Sequence, residues 1–340
     1  MLRLPVTQEC CAAQLDHARE AAEDGSPINF VLGFRQSRRL TQQIPQSSGK
    51  VLAKEDLCLL NIVPGQSKRD AIAAYLGGRG IKFLANGLRP IFYLHYWLFP
   101  NQRFLLRSSV NKPIGSASSK AKPRTKPHSK AIPKIVWQTN YTNKVTLPIK
   151  ASWLCNRLLS LGYDYKFHTT EMRKDFVEHH FPGETSRLYN RLTIGAAQAD
   201  LWRLLVLYKY GGVYMDIDAH LVWPLNRIIP AGSSALFLRY KDGAATNYFI
   251  ASRPEHPIIK ILIEEVLRRI ESPQSDNIYE ITGPTVFQAV LSEHEHSWRF
   301  SRHTCLQGNF SNKFFQYIDK PEGHWTLEQK SHRAISPETC

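Results

Sequence analysis

Four charged residues in the middle of the chain have the types and spacing to bind a phosphate-bearing ligand through a metal ion: Asp200, Arg203, Asp216 and Asp218. Residues three apart on a helix project from neighbouring positions, and residues two apart on a strand point to the same side. Paired carboxylates suit Mg²⁺ or Mn²⁺, which completes its shell with phosphate oxygens and water. We therefore predict a divalent-cation site at Asp216 and Asp218.

Residues 194–225 contain the elements that must position these side chains. The first half has apolar residues at helical spacing, namely Leu201, Leu204, Leu205 and Tyr208. Gly211 and Gly212 then end the predicted helix, because glycine tolerates the left-handed conformation of a helix cap. The following apolar residues, 213–215, predict a short buried strand. The carboxylates would lie at its carboxyl end, where open α/β sheets place ligands.

Strands and helices alternate on both sides of this segment, which is typical of an α/β fold. We predict strands at residues 132–139 and 163–168 and in the runs LVWPL, SALFLRY and NYFIAS. We predict helices at 147–160, 171–181 and 256–270, and a turn at Gly283 and Pro284 before another helix. Nearer the N-terminus we predict a helix at 8–22 and a strand at 29–34.

The run ADLWRLLVLYKYGGVYMDIDA resembles the sugar-binding region of the DXD-type glycosyltransferases of family 32. That family includes yeast initiating α-1,6-mannosyltransferases, bacterial capsule-synthesis enzymes and, more distantly, the glucosylating domains of clostridial toxins. The resemblance extends over residues 132–291, nearly half of the chain. It implies a GT-A-type, Rossmann-like nucleotide-diphospho-sugar transferase fold, a UDP- or GDP-sugar donor, a Mn²⁺ or Mg²⁺ cofactor, and retention of anomeric configuration.

The same resemblance implies roles for individual residues. Asp218 would bind the metal directly, and Asp216 would contact the ribose, the metal or both. Asp200 and Arg203 would hold the donor sugar, and Asn247 would lie near the reacting sugar. Further donor contacts are expected at Trp137, Gln138, Gly211, Gly212, Tyr214, Gly283 and Pro284, and a third metal ligand at His324.

Ordinary structural alternatives stay open for several of these residues. Trp137 could belong to the hydrophobic core, and Asp200 and Arg203 could simply pair with each other. Gly283 and Pro284 could form a helix-start turn without a ligand, since proline is common in the first turn of helices. His324 could be a surface histidine.

The whole net charge of +15 originates in residues 71–163. That window holds fifteen Lys and Arg residues and no Asp or Glu. An asymmetry of this kind indicates an anionic partner. The window also contains the nine-residue aromatic run IFYLHYWLF, flanked by arginine and proline. This run is too short to span a bilayer, for which about 20 residues are needed, but it suits a membrane interface. The alternative is a buried helix or strand.

Residues 108–131 are rich in Ser, Lys and Pro and predict a flexible basic linker. The linker would lie near anionic lipid headgroups or serve only as a solvated tether. We therefore expect a helical or irregular accessory region at 1–107, with a membrane-interface segment at 81–106. The linker would follow, and a GT-A domain would occupy 132–340.

Cysteine usage and the absence of long apolar runs favour a cytoplasmic protein. The six cysteines contain no C-x-x-C pair, which fits reduced thiols. The N-terminus has no apolar run of signal-peptide length. We expect a peripheral enzyme on the cytoplasmic face of a membrane, acting on a glycan or lipid-linked glycan in capsule-type polysaccharide synthesis.

Two other classes compete with this interpretation. Haloacid-dehalogenase-type phosphatases also end an apolar strand with D-x-D, but they place Thr or Val where His220 stands and begin their domain with the motif. A nucleic-acid-binding protein would explain the basic window, but its charges lie mostly in the linker and form no known binding motif. We therefore expect no nucleic-acid partner.

Overall fold

The computed structural model describes residues 67–107 and 131–337. The helix predicted at 8–22, the strand predicted at 29–34 and nearly all of the predicted linker lie outside these residues. Cys155 and Cys305, the two cysteines inside them, are free thiols.

The strands are, in chain order, β1 (Phe104–Leu105), β2 (Ile135–Thr139), β3 (Lys144–Val145), β4 (Asp164–His168), β5 (Gly212–Met215), β6 (Ala219–Leu221), β7 (Ala235–Arg239), β8 (Ala245–Ser252), β9 (Trp298–Phe300) and β10 (Cys305–Gln307). The helices are α1 (Lys68–Leu98), α2 (Leu147–Leu159), α3 (Thr170–His180), α4 (Glu184–Arg191), α5 (Gly195–Tyr210), α6 (Leu225–Ile228), α7 (Pro257–Glu271), α8 (Ile278–Ile281), α9 (Pro284–Glu293), α10 (Lys313–Tyr317) and α11 (Trp325–Ser331).

Six strands form a mixed sheet in the order β4-β2-β5-β8-β7-β9. β2 pairs in parallel with β4 and β5, and Trp137 aligns with Tyr214. β8 runs antiparallel to both β5 and β7. The carboxyl ends of β4, β2 and β5 therefore meet at one edge of the sheet, and the predicted α/β class is confirmed.

Alternating side chains of the sheet pack into two separate cores. Tyr214 faces the core formed with α5, α7 and α9, whereas Val213 and Met215 face the core formed with α2 and α6. Strand geometry requires this, because successive residues point to opposite faces. The central residues of α5 are buried, from Leu201 to Leu207, so this helix is fixed between the sheet and its neighbouring helices.

One sequence prediction within the sheet region is wrong in its boundaries. The run LVWPL was predicted to be a strand, but only Leu221 belongs to β6. Pro224 lacks the amide hydrogen that a strand ladder needs. It precedes the short helix α6, in which Leu225 and Ile228 are buried.

The 31-residue helix α1 contains most of the segment predicted to lie at a membrane interface. Ser67 caps its N-terminus by accepting a hydrogen bond from the backbone of Asp70. One face packs against the C-terminal part of the chain through an aromatic cluster, Phe92, Tyr96, Phe310 and Phe315.

The opposite face of α1 is apolar and exposed. Four apolar side chains lie along this face at helical spacing: Leu76 is 60% exposed, Phe83 82%, Leu94 54% and Trp97 78%. Of the helices that the structure describes, none has the length and apolarity required to cross a membrane. One face of α1 is thus packed on the protein, and the opposite face exposes apolar side chains.

Candidate active site

The two D-x-D carboxylates lie in the turn that joins β5 to β6. The prediction that a strand orients them is wrong, because β5 ends at Met215. The turn nevertheless brings both carboxylates to one side chain. Nε2 of Gln307 donates to Oδ2 of Asp216 and to Oδ1 of Asp218, each at 3.1 Å. Gln307 is held there because β10 pairs with β6.

Asp200, on α5, is the centre of a buried hydrogen-bond network. Nη2 of Arg203 lies 2.7 Å from Oδ1 of Asp200. Nδ2 of Asn247 donates to the same oxygen at 3.0 Å, and Oγ1 of Thr282 donates to Oδ2 at 3.0 Å. All four residues are less than a tenth exposed. The structure thus brings together three predicted site residues from α5 and β8.

Arg203 joins this network to the D-x-D turn. Its Nη2 lies 3.5 Å from Oδ1 of Asp216, and its Nη1 donates to the backbone oxygen of Asn247 at 2.6 Å. The guanidinium also lies over the ring of Tyr214, 4.4 Å from the ring centre. The Tyr214 hydroxyl donates to Oδ1 of Asp216 at 2.6 Å. The guanidinium of Arg203 therefore contacts two carboxylates that come from different parts of the fold, Asp200 on α5 and Asp216 in the D-x-D turn.

Burial raises the pKa of two carboxyl groups at this site. The pKa of Asp200 rises to about 6, because burial outweighs the opposing effect of the Arg203 charge. The pKa of Asp218 is also raised, first by burial and then by the neighbouring carboxylate of Asp216. A cation placed between Asp216 and Asp218 would relieve their repulsion.

These side chains line a cavity of about 860 Å³. Small-molecule sites typically have volumes of about 300–1,000 Å³. The predicted site residues at the wall are Asp200, Arg203, Tyr214, Asp216, Asp218, Asn247, Gly283, Pro284 and His324. Gly283 lies close to α8, and a Cβ atom there would come within 2.8 Å of the Tyr279 backbone.

The other predicted donor contacts, Trp137, Gln138, Gly211 and Gly212, are not at this wall. Trp137 is 2% exposed, and its Nε1 donates to the carbonyl oxygen of Gly211 at 2.7 Å. Gly211 and Gly212 have φ angles of 65° and 107°, which glycine adopts readily. The placement favours the core alternative for Trp137 and a turn-shaping role for the glycines.

His324 lies at the cavity wall, where it caps α11. Its Nδ1 accepts from the backbone of Thr326, and its ring stacks on Trp325 with centroids 6.0 Å apart. Within residues 67–107 and 131–337, no group of three His, Cys, Asp or Glu side chains is arranged to hold a metal ion. His324 as a third metal ligand therefore stays a prediction without geometric support.

The carboxylates of Asp216 and Asp218 nevertheless fit a divalent cation. Carboxylate oxygens are the ligands that Mg²⁺ and Mn²⁺ prefer, and one or two of them suffice when phosphates supply the rest. The donor that the two groups share is the uncharged amide of Gln307. A divalent cation could take the place of the Gln307 amide between the two carboxylates. That exchange would break hydrogen bonds to a neutral group but no ion pair of Asp218.

Sequence patterns did not single out three residues of this region, Thr282, Gln307 and Arg173. Thr282 immediately precedes the Gly283–Pro284 turn, so that motif was the available signal. Gln307 is 89 residues from Asp218, and no local pattern connects the two. Arg173 lies in the ordinary polar sequence of α3, yet its side chain reaches the cavity wall.

Residues 125–235 match the family model described as the glycosyltransferase sugar-binding region containing a DXD motif. The chain is 27% identical over 169 residues to an uncharacterised glycosyltransferase of Acanthamoeba polyphaga mimivirus, covering 48% of this chain and 66% of the relative. It is 35% identical over 176 residues to inositol phosphoceramide mannosyltransferase 3 of Schizosaccharomyces pombe, covering 50% and 47% of the two chains.

The chain is also similar to a second fission yeast protein and to a solved structure. The chain is 23% identical to the initiation-specific α-1,6-mannosyltransferase of Schizosaccharomyces pombe, covering 57% of this chain and 54% of the relative. Among solved structures it is similar to the PaToxG glycosyltransferase, with 20% identity, a TM-score of 0.37, and 48% and 69% of the two chains covered. The chain thus spans about half the length of the two fission yeast relatives, 47% and 54%.

Proposed function

We propose that this protein transfers a sugar from a nucleotide-diphosphate donor to a glycan or lipid-linked acceptor. The family match and the relatives confirm the resemblance to the DXD-type glycosyltransferases of family 32 and, with the mixed sheet, the expected GT-A-type fold. The proposed reaction requires Mn²⁺ or Mg²⁺ and retains the anomeric configuration of the sugar.

In the proposed reaction, each residue of the site has a separate role. Asp216 and Asp218 would hold the cation, which supplies Lewis-acid stabilisation of the departing nucleotide diphosphate. Asp200 would accept hydrogen bonds from the hydroxyl groups of the donor sugar, and Asn247 would donate hydrogen bonds to them. Arg203 would keep the Asp200 and Asp216 carboxylates in position and add positive charge near the diphosphate. We assign no protein nucleophile.

One observation carries the proposal. The Asp200 network and the D-x-D turn belong to different elements, and Arg203 holds them at the wall of one cavity. A chance D-x-D in a solvated turn would not have a buried acid, a buried amide and a buried guanidinium beside it. In the proposed reaction, the Asp200 network would bind the sugar and the D-x-D turn would bind the metal-bound diphosphate.

The test is the substitution Asp218→Asn, which removes one anionic metal ligand and preserves the shape of the side chain. We expect turnover of UDP- or GDP-sugars to fall by at least about 100-fold, since loss of one preorganised electrostatic contact typically costs that much. The matched control is Asp242→Asn, an exposed aspartate in the β7–β8 connection. Turnover is measured against added Mn²⁺ and Mg²⁺, with circular dichroism to verify folding. Full activity of the folded Asp218→Asn protein, or of the wild type in excess EDTA, would refute the metal assignment.

We further propose that α1 docks the enzyme on an anionic membrane at its cytoplasmic face, where a lipid-linked acceptor would be presented. Apolar, aromatic side chains cover the free face of α1, and Arg79, Lys82 and Arg89 lie along the same helix. Apolar insertion and charge attraction together give firm binding, whereas either alone would be marginal. The curated relatives named for an acceptor include inositol phosphoceramide mannosyltransferases, which supports a lipid-linked acceptor more than a capsule polysaccharide.

The position of α1 supports this arrangement. Tyr93 of α1 lies against Phe315 of α10, with ring centres 4.8 Å apart, and accepts a hydrogen bond from Asn312. Asn312 and α10 residues Lys313 and Tyr317 line the cavity. Docking through the free face of α1 would thus place the cavity about one helix diameter, ~10 Å, from the lipid surface.

A further inference from the structure

One basic residue of the window 71–163, Arg103, forms an ion pair with an acid far outside that window. Arg103 lies between α1 and β1, and its side chain is 14% exposed. Its Nε and Nη2 donate to the two carboxylate oxygens of Asp319, each at 2.5 Å. The two residues are 216 positions apart in the sequence. A two-bond arginine–carboxylate contact is the kind of ion pair that contributes near a protein surface, because its geometry is fixed.

On the α1 side, several contacts fix the orientation of Arg103. Its Nη1 donates to the carbonyl oxygens of Pro100 and Gln102, at 2.8 Å in each case. The guanidinium lies over the ring of Tyr96, 5.4 Å from the ring centre. The hydroxyl of Tyr96, which belongs to α1, donates to the carbonyl oxygen of Gln102 at 3.3 Å. The end of α1 and the residues after it therefore direct the guanidinium toward Asp319.

Asp319 belongs to a segment that forms one side of the main cavity. We call residues 317–328 the wall segment. Its residues that line the cavity are Tyr317, Lys320, Gly323, His324, Trp325 and Glu328. Burial, and then the charges of Asp218 and Asp216, raise the pKa of Tyr317, which shows that the wall segment approaches the D-x-D turn.

The ion pair itself lies beside the main cavity and not in its wall. Arg103 and Asp319 line a second, smaller cavity of about 370 Å³, and neither residue lines the main one. Tyr141 lines both cavities. An effect of the pair on a molecule bound in the main cavity must therefore pass through the wall segment or through Tyr141.

A second ion pair connects the wall segment to α5. Nζ of Lys320 lies 2.6 Å from Oε1 of Glu328, and Oε2 of Glu328 accepts a hydrogen bond from the backbone N–H of Gly195 at 3.3 Å. Gly195 begins α5, and the residue before it is Ile194, whose side chain cannot accept a hydrogen bond. A carboxylate is favourable at this position, because the first N–H groups of a helix lack partners and the helix dipole is positive there. Glu328 thus supports the helix that carries the buried acid and guanidinium of the site.

We propose that Arg103 is a positioning residue for the main cavity. Its two-bond contact with Asp319 holds the wall segment, and the wall segment holds the first turn of α5 through Lys320 and Glu328. A chain of ion pairs and hydrogen bonds of this kind can carry coupling between distant parts of a protein, and the coupling can be measured. The proposal rests on the proposed function where it assigns a nucleotide-sugar donor to the cavity.

The first experiment measures hydrogen exchange of the full chain by mass spectrometry. The key variant is Asp319→Asn, which removes the charge and keeps the shape of the side chain. We expect exchange to become about 5-fold faster in residues 317–331 and in the first turn of α5, a factor that corresponds to ~1 kcal/mol. The matched control is Arg268→Gln, because Arg268 makes the same two-bond contact with Glu265 within α7. The control should leave exchange in both segments unchanged.

The second experiment measures the binding of GDP and of UDP in saturating Mn²⁺ by titration calorimetry. The nucleotide that the wild type binds should bind about 2- to 5-fold more weakly to Asp319→Asn. The stoichiometry should stay the same, because a misfolded fraction of the sample lowers the number of sites and not their affinity. Arg103→Gln should have the same effect, and the double variant should lose no more than either single one, since one interaction cannot be lost twice.

Three results would overturn the proposal. Unchanged exchange in both segments would show that the ion pair does not hold the wall segment. Faster exchange with unchanged nucleotide affinity would show that the pair has no role at the cavity, and additive losses in the double variant would show that Arg103 and Asp319 act separately. Wild-type protein that binds neither nucleotide would refute the proposed function, whereas the exchange measurement would still decide whether Arg103 positions the wall segment.

Discussion

Thr282 shows how a single neutral residue supports a buried charge. Asp200 is almost completely buried, and each of its two carboxylate oxygens accepts a hydrogen bond. Arg203 supplies charge to one oxygen, whereas Thr282 is the side-chain donor to the other. The orientation of Asp200 at the cavity wall therefore depends on a residue that does not itself line the cavity.

We predict that Thr282→Val destabilises the protein. The change keeps the shape of the side chain but leaves Oδ2 of Asp200 without its donor, and hydrogen bonds to charged groups are worth about 1.5–3 kcal/mol. The free energy of unfolding in urea should fall by that amount. Thr246→Val is the matched control, because Thr246 is also buried but its hydroxyl has no hydrogen-bond partner. Equal losses from the two substitutions would contradict the prediction.

His168 makes the stability of the protein depend on pH. It packs among Trp137, Trp202 and Phe176, and its pKa is lowered to about 4 by burial and by the charges of Arg173 and Lys166. The unfolded chain, with a histidine pKa of about 6.5, binds a proton more readily than the folded protein does. The contribution is therefore complete above about pH 6.5 and is lost as the pH falls toward 4.

We predict that His168→Phe flattens this pH dependence. Asp200 titrates in the opposite sense, because its raised pKa of about 6 adds stability as the pH falls, and comparison with wild type cancels that effect. Between pH 6.5 and pH 5, wild type should lose up to about 1.4 kcal/mol per pH unit more than the variant. Urea unfolding at pH 7, 6 and 5 measures the difference. Parallel pH profiles would show that His168 does not titrate on unfolding.

The two glycines after α5 connect this helix to β5 and the D-x-D turn. Gly211 ends α5 with a positive φ, and its carbonyl accepts from Trp137. Gly212 begins β5, where a Cβ atom would lie 2.7 Å from the carbonyl oxygen of Ile135. The sharp reversal allows Asp200 and Asp216, on successive elements, to share Arg203.

We predict that Gly212→Ala costs at least about 2 kcal/mol of stability, since it combines a strained φ with a backbone clash. Gly87→Ala, within α1, is the control. No atom lies within 4 Å of a Cβ there, so that substitution should stabilise the protein by about 0.5–1 kcal/mol. Opposite shifts in the urea midpoint are expected. A Gly212→Ala protein as stable as wild type would mean that the turn rearranges without strain.

The sequence predicted those elements whose signal is local. The helical spacing of leucines located α5, the diglycine located its end, and the apolar run located β5. The position of the D-x-D pair just after a buried strand was predicted, but the turn that holds it was not, because two residues of the same spacing can share one side in a turn or in a strand. Gln307 could not be predicted, because the pairing of distant strands β6 and β10 produces no local sequence pattern. Arg173 could not be predicted, because nothing in the sequence of α3 indicates that this side chain reaches the cavity. The length of α1 was missed because Pro90 within it signals a helix end.

At the scale of the whole molecule, the basic charge and the free apolar face of α1 occur in one part of the chain. Residues 71–163 contain no acid, and α1 presents Phe83 and Trp97 at 82% and 78% exposure. The composition of the chain predicted an anionic partner. The structure was needed to show which apolar side chains of α1 are exposed to solvent. The predicted domain boundaries at 107 and 132 stay predictions.

We predict that the double substitution Phe83→Glu and Trp97→Glu abolishes flotation of the full chain with anionic liposomes. Both side chains lie away from the packed face of α1, so the fold should persist. Wild-type binding should weaken as salt rises, because the Debye length is about 10 Å at 0.1 M and shorter above it. Leu158→Glu, an exposed leucine on α2, is the control and should float like wild type. Flotation of the double variant would show that the exposed face of α1 is not the membrane anchor. Equal binding to neutral and anionic lipid would show that the basic charge does not contribute.

The pairing of β6 with β10 makes the surroundings of the D-x-D turn depend on a segment that is distant in the sequence. The D-x-D turn is synthesised long before Gln307, and contacts between distant segments form late because closing a long loop is entropically unfavourable. During translation the sheet and α5 can form while Asp216 and Asp218 still lack the amide between them. The cavity wall around the D-x-D turn should therefore be complete only after the segment that contains β10 has been synthesised and has docked on β6.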